Sequence, residues 1–178
     1  VGRIGTEPKN NEMLLKVIDK MNLKDWKIYI IGPYTEEFKE YYDDFIKNDP
    51  DKKSKVILVG NIEDKNLLYD YYNRAKVFLF TSRWESFGIV LVEALRFGNY
   101  IITTDVGGAK DITNNGEIGV VTEIENEEQY KKEILKVINE EINLKEKYNQ
   151  SLKWSEEKFL WNNIVKHEKF KEFFTGEN

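Results

Sequence analysis

At 178 residues the chain is long enough for one domain with its own core, and 40% hydrophobic with 33% charged residues is the composition of a soluble globular protein. A formal net charge of -5 argues against a nucleic-acid phosphate binder, whose affinity comes from clustered Lys and Arg, but leaves room for a local basic site. The absence of cysteine excludes a disulfide framework, a thiolate nucleophile and a zinc–thiolate site, and no apolar run approaches the ~18–20 residues of a membrane span.

The opening Val1-Gly2-Arg3-Ile4-Gly5 reads as the tail of a strand; it carries no initiator Met or signal peptide and is expected to be a cut within a longer chain. Met13, Leu14, Val17, Ile18 and Met21 then form one apolar helical stripe, which Lys9 is expected to open. Short runs rich in Val, Ile, Leu, Phe and Tyr predict strands at 27–31, 56–59, 77–81, 100–104 and 120–124. Between them lie helical stripes at Leu67, Leu68, Tyr71, Tyr72 and Ala75, and at Tyr130, Ile134, Leu135 and Ile138. Gly32, Gly60, Gly98 and Gly107-Gly108 fall at element ends, where tight turns need a permissive backbone. This alternation predicts an α/β fold, a Rossmann-like doubly wound parallel sheet over residues 1–141. From about Leu144 to Phe174 there is no strand signal, and Phe159, Leu160, Ile164, Val165, Phe170, Phe173 and Phe174 make an aromatic-rich stripe. Residues 142–178 are therefore expected to be a helical segment packed on the sheet domain, or partly on something outside this chain.

The segment from Thr81 to Gly88 joins a buried strand to a helix beginning near Gly88. Free N–H groups at a helix start, backed by the helix dipole, make an anion site, and Gly88 allows a ligand close to the backbone. Glu85 precedes this helix and Glu93 lies eight residues on, a span of about 12 Å. That is roughly the distance from a sugar ring across a diphosphate to a ribose. Glu93 sits among Ile89, Val90, Leu91, Val92, Ala94 and Leu95, so its carboxylate needs a partner. It reaches solvent, pairs with Arg96, or accepts from ligand hydroxyls. Arg3 and Lys9 flank one loop and are either a clamp for a diphosphate or ordinary solvated charges.

Other templates fail. There is no G-x-S-x-G, H-E-x-x-H, G-x-x-x-x-G-K-[ST] or G-x-G-x-x-G motif, and the single histidine, His167, stands among Lys166, Glu168 and Lys169 in the terminal segment. No triad or His-based acid catalysis can be assembled from this chain.

Glu85 and Glu93, with Ser-Phe-Gly-Ile-Val-Leu-Val between them, resemble the E-x7-E signature of family 4 retaining glycosyltransferases. Gly98, the Val1-Gly2-Arg3…Lys9 segment and Gly107-Gly108 with Asp111 are similar to further segments of that family, in the same order. The resemblance implies the C-terminal, donor-binding half of a GT-B fold. Carried to these positions, it implies that Arg3 and Lys9 neutralise the donor diphosphate and that the backbone of Ile89 and Val90 holds phosphate. Glu85, with the backbone of Phe87 and Gly88, would hold hydroxyls of the transferred sugar; Glu93 would accept from the ribose and Ile62 would contact the base.

The implied reaction moves a hexosyl group from a nucleoside-diphosphate sugar to an acceptor with retention, without a metal or other cofactor. The implied partners are the nucleotide-sugar donor and an N-terminal acceptor domain that this chain lacks, with no nucleic acid. A cytoplasmic location is expected, leaving open peripheral association of the intact enzyme with the inner face of a membrane. The Lys-, Asn- and Ile-rich composition suggests an AT-rich bacterial genome and surface-polysaccharide synthesis. Alternatives are a GT-B nucleotide-sugar epimerase and a non-catalytic nucleotide-binding module.

Overall fold

The computed structural model describes residues 1–47 and 49–160. After a 3-10 turn at Glu7–Lys9 come helix α1 (Asn11–Asp19), strand β1 (Ile28–Ile31), α2 (Glu36–Lys47), α3 (Pro50–Lys55) and β2 (Val56–Gly60). They are followed by α4 (Lys65–Arg74), β3 (Val77–Phe80), α5 (Ile89–Arg96), β4 (Tyr100–Thr104), α6 (Ala109–Ile112), β5 (Gly119–Thr122), α7 (Glu127–Ile138) and α8 (Leu144–Phe159). The five predicted strands are present with ends shifted by a residue or two.

All strand pairs are parallel, as crossover helices require. They form two ladders, β1-β2 and β3-β4-β5, rather than one continuous sheet. The expected first strand is reduced to a stub: Gly2 N donates to Ile31 O (3.0 Å), and Ile4 forms an isolated parallel bridge to Tyr34.

Side-chain alternation builds one core on each face. Tyr100 and Ile102 of β4, with Val77 and Leu79 of β3, join the cluster under α1, α2 and α7. Ile101, Phe78 and Phe80 point the other way, into the cluster under α5 and α6. Helices on both faces of parallel strands make this a doubly wound α/β architecture. Tyr130 of α7 reaches between strands: fully buried, its hydroxyl donates to Ile102 O (3.0 Å) and accepts from Phe80 N (2.8 Å). It thereby satisfies two backbone groups at the carboxyl end of β3 and β4.

Helices α2 and α3 were not read from the sequence. Their buried content is thin: α2 fully buries Phe38 and Tyr42, and α3 buries nothing, its start being set by Pro50 after the Asp49 cap. In α8, Ser151 and Ser155 are buried and Trp154 and Phe159 pack on the second core. Most of the terminal aromatic stripe, from Ile164 to Phe174, and His167 lie outside the described residues.

Candidate functional site

Three loops converge at the carboxyl ends of the strands, where parallel α/β sheets place ligands. The first carries Arg3 and Lys9, the second runs from Thr81 to Gly88 between β3 and α5, and the third holds Gly107-Gly108 between β4 and α6. The turn ending at Lys9 precedes α1 rather than opening it, because Asn10 adopts a left-handed conformation (φ 49°) between the two.

Polar contacts hold the first two loops together. Arg83 N donates to Pro8 O (2.8 Å), its guanidinium donates to Glu7 O (2.7 Å), and it forms an ion pair with Glu125. The Thr81 hydroxyl faces the carbonyls of Lys9 (3.2 Å) and Asn10 (2.9 Å). So anchored, Lys9 forms an ion pair with Glu85, and the Ser82 hydroxyl donates to the same Glu85 oxygen (3.2 Å). The side chains of Lys9 and Glu85 are 23% and 15% exposed, sheltered enough to matter and open enough to exchange partners. Lys9 Nζ also lies 5.4 Å from the centroid of the Phe80 ring.

The diglycine turn closes the second loop from the far side. Gly108 N donates to Phe87 O (2.9 Å), and a Cβ on Gly108 would lie 2.7 Å from the Phe87 ring. Gly107 has φ +50° and would bring a Cβ to 3.1 Å from Glu85 O. This close backbone approach is the reason for two glycines here.

Gly88, at φ 90°, turns the chain into α5 without a side-chain cap. Leu91 N bonds to Gly88 O (2.9 Å), while the N–H groups of Ile89 and Val90, in the first turn, have no intrahelical acceptor. Ile89 is 69% exposed and Phe87 43%, so this helix start is open to a ligand. Further along, half-buried Glu93 accepts a hydrogen bond from the Tyr72 hydroxyl of α4 (3.1 Å), not from Arg96, which is exposed. Burial, reinforced by the Glu93 charge, pushes the Tyr72 phenol upward, so it stays a protonated donor. Its ring stacks on Phe97 at 5.5 Å and 7° and lies 5.9 Å from Phe78.

The structure thus brings Lys9, Glu85, Phe87, Gly88, Ile89 and Val90 onto one face, with Glu93 further along the same helix. Arg3 is exposed and, among the described residues, its guanidinium has no ion-pair partner. It lines a recess with Lys9 and Ser82 of only about 20 Å³, too small for a nucleotide. Half-buried Ile62 stands apart, in the loop after β2. A cavity of about 640 Å³ lies between β1 and β3 and includes none of Lys9, Glu85 and Glu93. The candidate site is therefore an open face. Ser82, Arg83 and Tyr72 were missed as site residues; Tyr72 was legible as part of the α4 stripe, but its hydroxyl's target was not.

A parallel, doubly wound domain with this face at its carboxyl edge is one half of a GT-B type glycosyltransferase fold. The C-terminal domain of LpcC, a glycosyl transferase group 1 family protein from Francisella tularensis, matches with a TM-score of 0.78 at 23% identity, over 90% of this chain and 84% of that one. HepE from Anabaena, solved in complex with UDP, matches with a TM-score of 0.76 at 16% identity, over 99% of this chain and 48% of that one. Residues 1–154 match the model of the glycosyl transferases group 1 family, and the chain belongs to that family. Among curated relatives, the capsular polysaccharide biosynthesis glycosyltransferase CapM of Staphylococcus aureus is 28% identical over 181 residues, covering 93% of this chain and 46% of CapM. A probable sucrose-phosphate synthase of Thermosipho melanesiensis is 27% identical, over 90% of this chain and 37% of its own length. The chain thus spans less than half the length of these relatives.

Proposed function

We propose that this chain is the donor-binding half of a retaining glycosyltransferase that moves a hexosyl group from a nucleoside-diphosphate sugar to an acceptor. The observation that carries the reading is the Lys9–Glu85 ion pair, held beside the free N-terminus of α5. An arriving diphosphate takes Lys9 from Glu85 and gains the N–H groups of Ile89 and Val90; Glu85, with the backbone of Phe87 and Gly88, is then free to accept from sugar hydroxyls. Arg3, exposed on the same loop, closes on the diphosphate bidentately. Negative charge grows on the leaving nucleotide in the transition state, so these cations assist the chemistry as well as binding. Glu93, oriented by Tyr72, accepts from the ribose, and Ile62, in the loop after β2, is the residue we assign to the base. The electrostatic work falls to side chains and helix N-terminus, so the reaction is proposed to need no metal. The acceptor and the other wall of the cleft belong to a further domain.

Calorimetric titration of the chain with UDP, GDP and ADP and their hexose conjugates tests this reading. One nucleotide is expected to bind, with or without EDTA. Lys9→Ala, Arg3→Ala and Glu93→Ala are each expected to weaken it by ~1.5–3 kcal/mol, the scale of a hydrogen bond to a charged group. Affinity unchanged in all three variants would refute the assignment. Efficient glycosyl transfer by the 178-residue chain alone would refute its description as half a site.

A further inference from the structure

Helix α8 runs antiparallel along α5, and the ends of the two helices are matched. Just after α5, Gly98 (φ 76°) lies so close to Tyr148 of α8 that a Cβ there would come within 2.3 Å of the Tyr148 ring. Just before α5, the Phe87 ring meets Phe159, with centroids 6.4 Å apart and planes tilted by 58°. Tyr148 and Phe159 are separated by the same number of residues as Phe87 and Gly98, about 16 Å along a helix. Tyr148, Ser151, Ser155 and Phe159 recur at i, i+3, i+7 and i+11, one stripe of α8. Ser151 and Ser155 are buried, and their small side chains let the two helices approach closely between the aromatic ends.

The far end of this stripe reaches the candidate site from behind. Phe87 belongs to the loop that carries Glu85, and its carbonyl accepts from Gly108 N (2.9 Å). Gly107 and Gly108 bring backbone to that loop but no side chain, so they cannot fix the Phe87 ring by packing around it. Phe159 supplies a side-chain contact. One turn earlier, Trp154 Nε1 donates to Asp111 O (3.3 Å), in α6, the helix that starts after Gly108. Helix α8 thus holds both partners of the Gly108–Phe87 hydrogen bond, one through a ring and the other through an indole N–H. Its own place is set at the opposite end, where Tyr148 packs on Gly98.

We propose that Phe159 is a positioning residue for the sugar of the donor: by holding the Phe87 ring it fixes the backbone of Phe87 and Gly88 and the Glu85 carboxylate where the sugar hydroxyls need them. This inference rests on the donor-binding reading above. Phe159 acts through Phe87 and touches no ligand itself. The N–H groups of Ile89 and Val90 belong to α5 and keep their direction without Phe159, so the diphosphate does not depend on it. Loss of the ring should therefore separate two parts of donor affinity, sparing the nucleotide and weakening the sugar.

Calorimetry on the 178-residue chain tests this with whichever of UDP, GDP and ADP binds, and with the matching UDP-glucose, GDP-mannose or ADP-glucose. Phe159→Ala is expected to lower the ratio of conjugate to nucleotide affinity at least fivefold, with the nucleotide's own affinity kept within twofold. Phe159→Tyr, which keeps the ring, is expected to keep the ratio. Tyr148→Ala loosens the opposite end of α8 and controls for plain destabilisation: its melting temperature should fall and its ratio stay. Amide exchange gives a readout without ligand. The Gly108 N–H, bonded to Phe87 O, is expected to exchange at least fivefold faster in Phe159→Ala, while the Tyr100 N–H, bonded to Lys76 O, is unchanged. Where Phe159→Ala fails to fold, Phe159→Leu is expected to move both readouts in the same direction by at least twofold. An unchanged ratio, or an equal loss in Tyr148→Ala, overturns the proposal. A wild-type chain that binds none of the three nucleotides refutes the donor-binding reading instead, and Gly108 exchange then decides alone whether Phe159 holds the loop.

Discussion

Tyr72→Phe removes one hydroxyl and little else. The ring is 2% exposed, stacked on Phe97 and beside Phe78, and Phe fills the same space, so no cavity term enters. What is lost is a 3.1 Å hydrogen bond to Glu93. Hydrogen bonds to charged groups contribute about 1.5–3 kcal/mol. Because Glu93 is half-buried, water can partly replace the phenol, and the low end, about 1.5 kcal/mol, is expected. For a domain of this size that corresponds to a melting temperature lower by ~3–6 °C. Urea unfolding of Tyr72→Phe, Glu93→Ala and the double variant should show a coupling of about 1 kcal/mol, since the two residues share one bond. Nucleotide affinity should fall as well, because a carboxylate no longer held by Tyr72 must be ordered by the ligand. Additive effects within ~0.3 kcal/mol, with affinity unchanged, would refute the claim that Tyr72 is the partner that makes Glu93 tolerable in this helix.

Gly108→Ala puts a methyl group 2.7 Å from the Phe87 ring, so the Glu85–Gly88 loop must shift; nucleotide affinity is expected to drop at least tenfold with a much smaller loss of thermal stability, read by calorimetry beside a melting curve. Tyr130→Phe leaves Phe80 N and Ile102 O without their shared partner in a fully buried position, an expected cost of about 2–3 kcal/mol in urea unfolding.

Much of the site was legible in the sequence because it is local. Glu85, Gly88 and Glu93 lie on one strand–turn–helix unit, and helical geometry alone fixes their spacing; the apolar runs of β3 and β4 needed no partner to be recognised. Helix α2 was not legible in the same way, because its charges mask a stripe in which only Phe38 and Tyr42 are buried. What tertiary structure decided is everything that joins distant segments. Lys9 meets Glu85 across 76 residues, and Tyr72 meets Glu93 across 21, from another helix. Gly107-Gly108 is required by the backbone of Phe87, not by its own turn alone. The division of the strands into two ladders likewise depends on which edges meet. A residue pattern states which face of an element is apolar, but the partner that covers it is chosen by packing among all elements at once. The sequence alone therefore determined the element types and the local site unit, and only the fold decided which charges neutralise one another.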